Sequence, residues 1–199
     1  LHLLHISTAR ELDLFESLPL SDKRITAEAC VSHLFFHCGD YRTLGGRIKC
    51  NPSIKRRPDR DALREAINSN LIDVIATDHA PHSREEKAQD ITKAPSGIIG
   101  LETALSLGIR ELVNKKYLDY PALFERMSTA PAKLYGLCGG AIAEGKEADL
   151  VIFHPAETWE VSEFASKSSN SPFVGETMPG VIYYTVCDGK IVYPRSVSL

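Results

Sequence analysis

One carboxylate and two imidazoles fall within five residues at Asp78-His79-Ala80-Pro81-His82. They follow directly on Leu71 to Thr77, a short apolar run rich in β-branched residues (Ile72, Val74, Ile75). Side chains of these types can ligate a divalent metal, and a carboxylate beside such a metal can carry a proton to and from a reacting group. Similar placements recur upstream. His5 lies near the end of the apolar run Leu1 to Ile6, Ser32-His33 follows Ile25 to Val31, and Asn51-Pro52 closes Arg47 to Cys50. Singly, each of these is an ordinary feature: a lone His near a strand end is usually hydrogen-bonded structure, and an Asp after a strand is usually a turn or cap residue. Their repetition after four successive apolar runs is what points to a site. His2 is three residues from His5, so on a strand it faces the other way and reads as structural.

The elements that must hold these groups alternate in type. Strands are predicted over Leu1 to Ile6, Ile25 to Val31, Arg47 to Cys50 and Leu71 to Thr77, and helices over Ala9 to Ser17 and Asp59 to Asn68, the latter with Leu63 and Ile67 at i, i+4 spacing. A long polar stretch from Asp78 to Ser96 follows, of the length that is usually functional or disordered. Helices are then predicted within Ile98 to Lys116, Pro121 to Met127 and Pro131 to Tyr135, ending at Gly136. The C-terminal part reads as β: Ala148 to Phe153, Val181 to Cys187 and Lys190 to Tyr193, with Asp188-Gly189 as a tight turn and Ser162 to Gly175 as an extended surface segment. The fold class is therefore α/β with a parallel sheet or barrel, divided into residues 1–140 and a β-rich tail, residues 141–199. In a (β/α)₈ barrel, polar groups at strand C-termini are where active sites are built.

Bulk properties narrow the function. The 199 residues are 43% hydrophobic and 25% charged, the balance of a folded globular chain. A formal net charge of −3 without a long basic run argues against nucleic acid as partner, and Lys55-Arg56-Arg57 reads as a solvated loop. Five widely spaced cysteines with no C-x-x-C imply neither a disulfide framework nor a cysteine zinc site, and reduced thiols suit the cytoplasm. No apolar run reaches the ~18 residues a membrane span requires, and no signal peptide is evident. The chain opens mid-strand without Met, which reads as a fragment.

The motifs together resemble one family. Val74-Ile75-Ala76-Thr77-Asp78-His79-Ala80-Pro81-His82 is similar to the strand-eight signature of dihydroorotases in the amidohydrolase superfamily. Leu4-His5-Ile6-Ser7-Thr8, Cys30-Val31-Ser32-His33-Leu34-Phe35 and Ile48-Lys49-Cys50-Asn51-Pro52-Ser53-Ile54 resemble that family's strand-five, strand-six and strand-seven motifs. Ser96 to Thr103, Ala143 to Val151 and Asn170-Ser171-Pro172-Phe173 resemble segments further along. The resemblance implies the second half of a (β/α)₈ TIM-type barrel, strands five to eight, followed by a small β-rich region. It implies His5, His33 and Asp78 as ligands of zinc (one or two ions in the complete enzyme) and Asp78 also as catalytic acid/base. Asn51 and His82 would hold a substrate carboxylate, Ser96 and Gly97 would offer backbone contacts, and His79 would support the ligands from behind.

The implied reaction interconverts N-carbamoyl-L-aspartate and L-dihydroorotate in pyrimidine biosynthesis. The family's strand-one His-x-His and strand-four Lys or Asp do not occur here, so the chain by itself is expected to turn over little. Ser32 and Ser53 replace a His and a Pro of the family pattern, and Lys55 an Arg, without removing a ligand. Sister cyclic amidases, allantoinase and dihydropyrimidinase, are the near alternative. They usually lack the last His of the Asp-His-Ala-Pro-His string. The other alternative is a non-catalytic fragment or scaffold beside aspartate transcarbamoylase. A homo-oligomer acting on a small molecule, without nucleic acid or membrane, completes the expectation.

Overall fold

The computed structural model describes residues 1–194. Its centre is a parallel sheet of β1 (His2–Leu3), β2 (Thr26–Cys30) and β3 (Val74–Ala76), in that spatial order, with His2 opposite Thr26 and Glu28 opposite Val74. Parallel neighbours require crossovers, and helical segments supply them. After α1 (Val31–Phe35) and α2 (Tyr41–Leu44), the largest is α3 (Arg57–Asn68), whose Leu63 and Ile67 are fully buried with Ile72 just beyond. Pro58 in its first turn starts α3 two residues earlier than the apolar spacing alone implies, because proline is preset for a helix start and has no N–H to leave unpaired.

Two predicted strands, Leu1 to Ile6 and Leu71 to Thr77, are cut back to β1 and β3, and a third is absent. β1 stops at Leu3 because His5 takes a left-handed backbone, φ 40°, although the Ile6 amide still donates to the Glu28 carbonyl at 2.8 Å. Arg47 to Cys50 is not a strand: Gly45–Ile48 is a 3₁₀ turn after a positive φ at Gly45, and β2 pairs directly with β3, leaving no place between them. The helix expected over Ala9 to Ser17 is a 3₁₀ turn, Ala9–Leu14, capped by Thr8 and Glu11.

After β3 come α4 (Arg84–Lys87), α5 (Ala104–Gly108), α6 (Tyr120–Phe124) and α7 (Ala130–Tyr135). Widened π-helical turns continue α5 to Val113 and join α6 to α7, so proline at 131 does not interrupt the helical path. Gly136 ends α7 in the left-handed conformation, φ 66°, that glycine adopts without steric cost. The tail is an antiparallel sheet of β4 (Leu150–Glu160), β5 (Thr177–Cys187) and β6 (Lys190–Pro194). Asp188 and Gly189, both at positive φ, make the predicted tight turn. Trp159 Nε1 donates to Ser106 Oγ at 3.0 Å and Arg110 pairs with Glu176 at 2.9 Å, tying this sheet to α5 and its continuation. The segment expected to be extended and superficial instead buries Asn170, Ser171 and Phe173; Phe173 stacks on Phe36. All five cysteines are free thiols. Among the described residues no helix is long and apolar enough to cross a membrane.

Candidate active site

Three of the expected groups sit where parallel strands end. Cys30 closes β2 and α1 (Val31–Phe35) starts at once, carrying His33 down into the core at 2% exposure. Its Nε2 lies 2.8 Å from the Pro52 carbonyl, which can only accept, so Nε2 carries the proton. Nδ1 is then left with a bare lone pair, buried and without a partner among the described residues. One ring nitrogen fixed by a carbonyl and the other bare is how imidazoles are presented to metals. Burial is the main cause holding the His33 pKa below the usual imidazole range, so the neutral, ligand-competent form prevails at neutral pH.

His5 and Asp78 follow β1 and β3, and both hold positive φ, 40° and 47°. Such conformations cost an L-residue free energy and collect at binding and catalytic sites. Both groups act electrostatically on His33, His5 lowering its pKa and Asp78 raising it. Asp78, which is exposed, also adds to the burial that keeps the Cys30 thiol protonated and lifts that of Cys50 to about 11. The neighbouring thiols are thus held in the protonated form, which binds metal poorly. The donor set fits a divalent metal in kind. It is not drawn together, for among the described residues no group of three or more His, Cys, Asp or Glu side chains is arranged to hold an ion.

The expected substrate-binding residues are linked more closely. His82 Nε2 donates to the Ser96 carbonyl at 2.9 Å, and Gly97 N donates to the Lys49 carbonyl at 2.9 Å, which brings the loop against the segment carrying exposed Asn51. Gly97 has no substitute in this arrangement. Its φ is 131°, and a Cβ there would meet Ala80 Cβ at 2.4 Å and His82 Nε2 at 3.0 Å. His79 supports the loop: its Nδ1 accepts from the Gly100 amide at 3.1 Å. His2 bonds Thr26 and Glu28 on neighbouring β2, the structural role expected of it.

Two residues that sequence reasoning did not single out hold this assembly. Buried Asn170 donates to the carbonyls of Ala80 and Gly97 and accepts from the His82 amide, binding together the two sides of the loop. Lys87, 3% exposed, donates to the carbonyls of Lys49 and Pro95 at 3.1 and 3.0 Å; burial lowers its pKa to about 8. The Asn-Ser-Pro-Phe string was the only signal for the first, and nothing marked the second. A cavity of about 910 Å³ opens elsewhere, around Leu1, Asn70 and Arg126 at the opposite end of the parallel strands.

Parallel strands end in metal-capable side chains with a loop folded over them, and the sequence profile of the amidohydrolase family matches residues 10–192. The chain belongs to the amidohydrolase family, whose members are generally metal-dependent. It is 47% identical over 189 residues to the dihydroorotase of Clostridioides difficile, covering 95% of this chain and 45% of that protein. With a dihydroorotase of Streptococcus pyogenes it shares 44% over 196 residues, 98% of this chain and 46% of the relative. The chain thus spans about half the length of these relatives. Among solved structures, the L-hydantoinase (dihydropyrimidinase) of Arthrobacter aurescens superposes with a TM-score of 0.88 at 28% identity, over all of this chain and 46% of that one. A D-hydantoinase from Thermus sp. gives 0.86 at 24% identity, over 97% of this chain and 44% of that one, and shares the fold.

Proposed function

We propose that this chain carries the second half, strands five to eight, of a dihydroorotase barrel, and that it contributes His5, His33 and Asp78 to a zinc centre. The observation that carries the reading is the Asp78-to-His82 string at the end of β3, together with the bare Nδ1 of buried His33. A divalent metal held by His5, His33 and Asp78 would supply Lewis acidity to the reaction. The chain's own groups do the rest. Asp78 accepts a proton from the attacking water as the ring amide C–N bond is broken, and returns it to the departing nitrogen. Asn51 and His82 grip the substrate carboxylate, and backbone groups of Ser96 and Gly97 meet the ring amide. The loop between His82 and Ser96, tied down by Asn170 and Lys87, keeps water out. Completion of the site requires groups from beyond this chain, so the chain by itself turns over little. A cytoplasmic homo-oligomer, alone or with aspartate transcarbamoylase, is the setting this reading implies.

A sister reading, dihydropyrimidinase, draws on the hydantoinase likeness. Substrate preference separates them. The chain joined to the upstream part of the Clostridioides difficile dihydroorotase is expected to hydrolyse L-dihydroorotate at least about 100-fold faster, in kcat/KM, than dihydrouracil or allantoin, because a site built to bind a carboxylate is left with unpaired polar groups by a ring that lacks one. Preference for either of the latter would overturn the dihydroorotase reading.

A further inference from the structure

A second pocket lies beside α4. It has a volume of about 290 Å³, and Arg47, Arg84, Lys87, Ser169, Asn170 and Ser171 surround it. Arg47 and Arg84 are exposed residues, while Lys87, Asn170 and Ser171 are each at least nine-tenths buried. Three cationic side chains line this space and no carboxylate does. Among the described residues none of the three is in an ion pair. A buried ammonium with no counter-charge is costly, and usually a buried charge is paired.

The hydrogen bonds show which donors remain for a ligand. Lys87 uses two N–H groups on the Lys49 and Pro95 carbonyls and has a third. Ser169 Oγ accepts from Arg84 Nε at 2.7 Å, and Ser171 Oγ accepts from the Phe173 amide at 3.2 Å, so both hydroxyl hydrogens are unassigned. The planar Arg84 fork is held in place by that serine. What the pocket offers is a cluster of N–H and O–H donors around positive charge, in a space near the lower limit of small-molecule sites. A phosphate group, with about two negative charges and several acceptor oxygens, matches it in charge and donor count better than a carboxylate.

We propose that this pocket binds the phosphate of a small molecule, apart from the residues assigned to the substrate. The pocket is wired to the loop through two of its own walls. Lys87 reaches the carbonyls of Lys49 and Pro95, and Asn170 reaches Gly97 and His82. A phosphate held by Lys87 fixes both, and slows exchange of the Gly97 amide that bonds Lys49.

Calorimetric titration of the whole chain with inorganic phosphate, and in parallel with ribose 5-phosphate, tests this. Saturable binding of either at millimolar or lower concentration is expected, and tighter binding of the ester identifies a phosphorylated metabolite rather than free phosphate as the occupant. Arg47→Ala with Arg84→Ala is expected to weaken it about tenfold or more. Both side chains are exposed, so the fold should survive, as circular dichroism would verify; Arg47→Ala alone, with no bond from that side chain to lose, should act in the same direction. Absence of saturable binding by both compounds, or equal affinity in the folded double variant, overturns the proposal.

Discussion

Asp78→Asn is expected to lower turnover of L-dihydroorotate by about 10³- to 10⁴-fold while leaving the fold intact. The replacement keeps the shape and removes the charge, and with it the capacity to take and return a proton. General acid–base groups are worth about 10² to 10⁴ in rate, and loss of a metal ligand adds to that. The effect belongs in kcat, since the proton is moved in the transition state and not in substrate binding. Asp78 is exposed at the end of β3, so its replacement should change stability by no more than about 0.5 kcal/mol. The measurement is steady-state kinetics on the chain joined to the upstream part of its Clostridioides difficile relative, beside thermal unfolding of the same proteins. A variant retaining a tenth or more of the rate would remove Asp78 from the chemistry.

The largest effect on stability is expected from Asp73→Ala. Asp73 sits just before β3, and its carboxylate meets Lys23 Nζ at 2.7 Å; the two side chains are 2% and 1% exposed. Its second oxygen accepts from the Ala27 amide at 3.0 Å, which braces β2 against the start of β3. The alanine variant strands a buried ammonium on the carbonyls of Asn70 and Leu71 and leaves the Ala27 amide without its side-chain acceptor. Breaking one side of a buried pair costs about 3–5 kcal/mol, whereas removing both charges costs much less. Urea unfolding should therefore show a loss of that size for Asp73→Ala and partial recovery in Asp73→Ala with Lys23→Met. A loss below about 1 kcal/mol in the single variant would mean that the pair is not desolvated as described.

How much of this was legible in the sequence depends on how far apart the determining residues lie. Leu63 and Ile67 announced α3 because a helix records its buried face locally. Asp188-Gly189 announced the tail turn, because positive φ is a property of two adjacent residues. The string from Asp78 to His82, on which the proposed site rests, is local in the same way. Arg47 to Cys50 misled because its composition suits a strand, while its conformation is decided by Gly45 and by the direct pairing of β2 with β3. Asn170 lies 88 residues from the His82 amide it holds, a distance that no local pattern spans. Lys87 belongs to the charged run Ser83 to Lys87, and only the folded loop buries one member of it. The tautomer of His33 was equally hidden, since it depends on the carbonyl of Pro52.

The central claim is that the ends of β1, β2 and β3 form half of a metal centre. Zinc titration of the 199-residue chain, with its Asp78→Asn and His33→Ala variants alongside, tests it most directly. One weak site is predicted for the parent chain, and its loss in both variants. Zinc binding that neither variant changes, or no binding by the folded parent chain, would contradict the account.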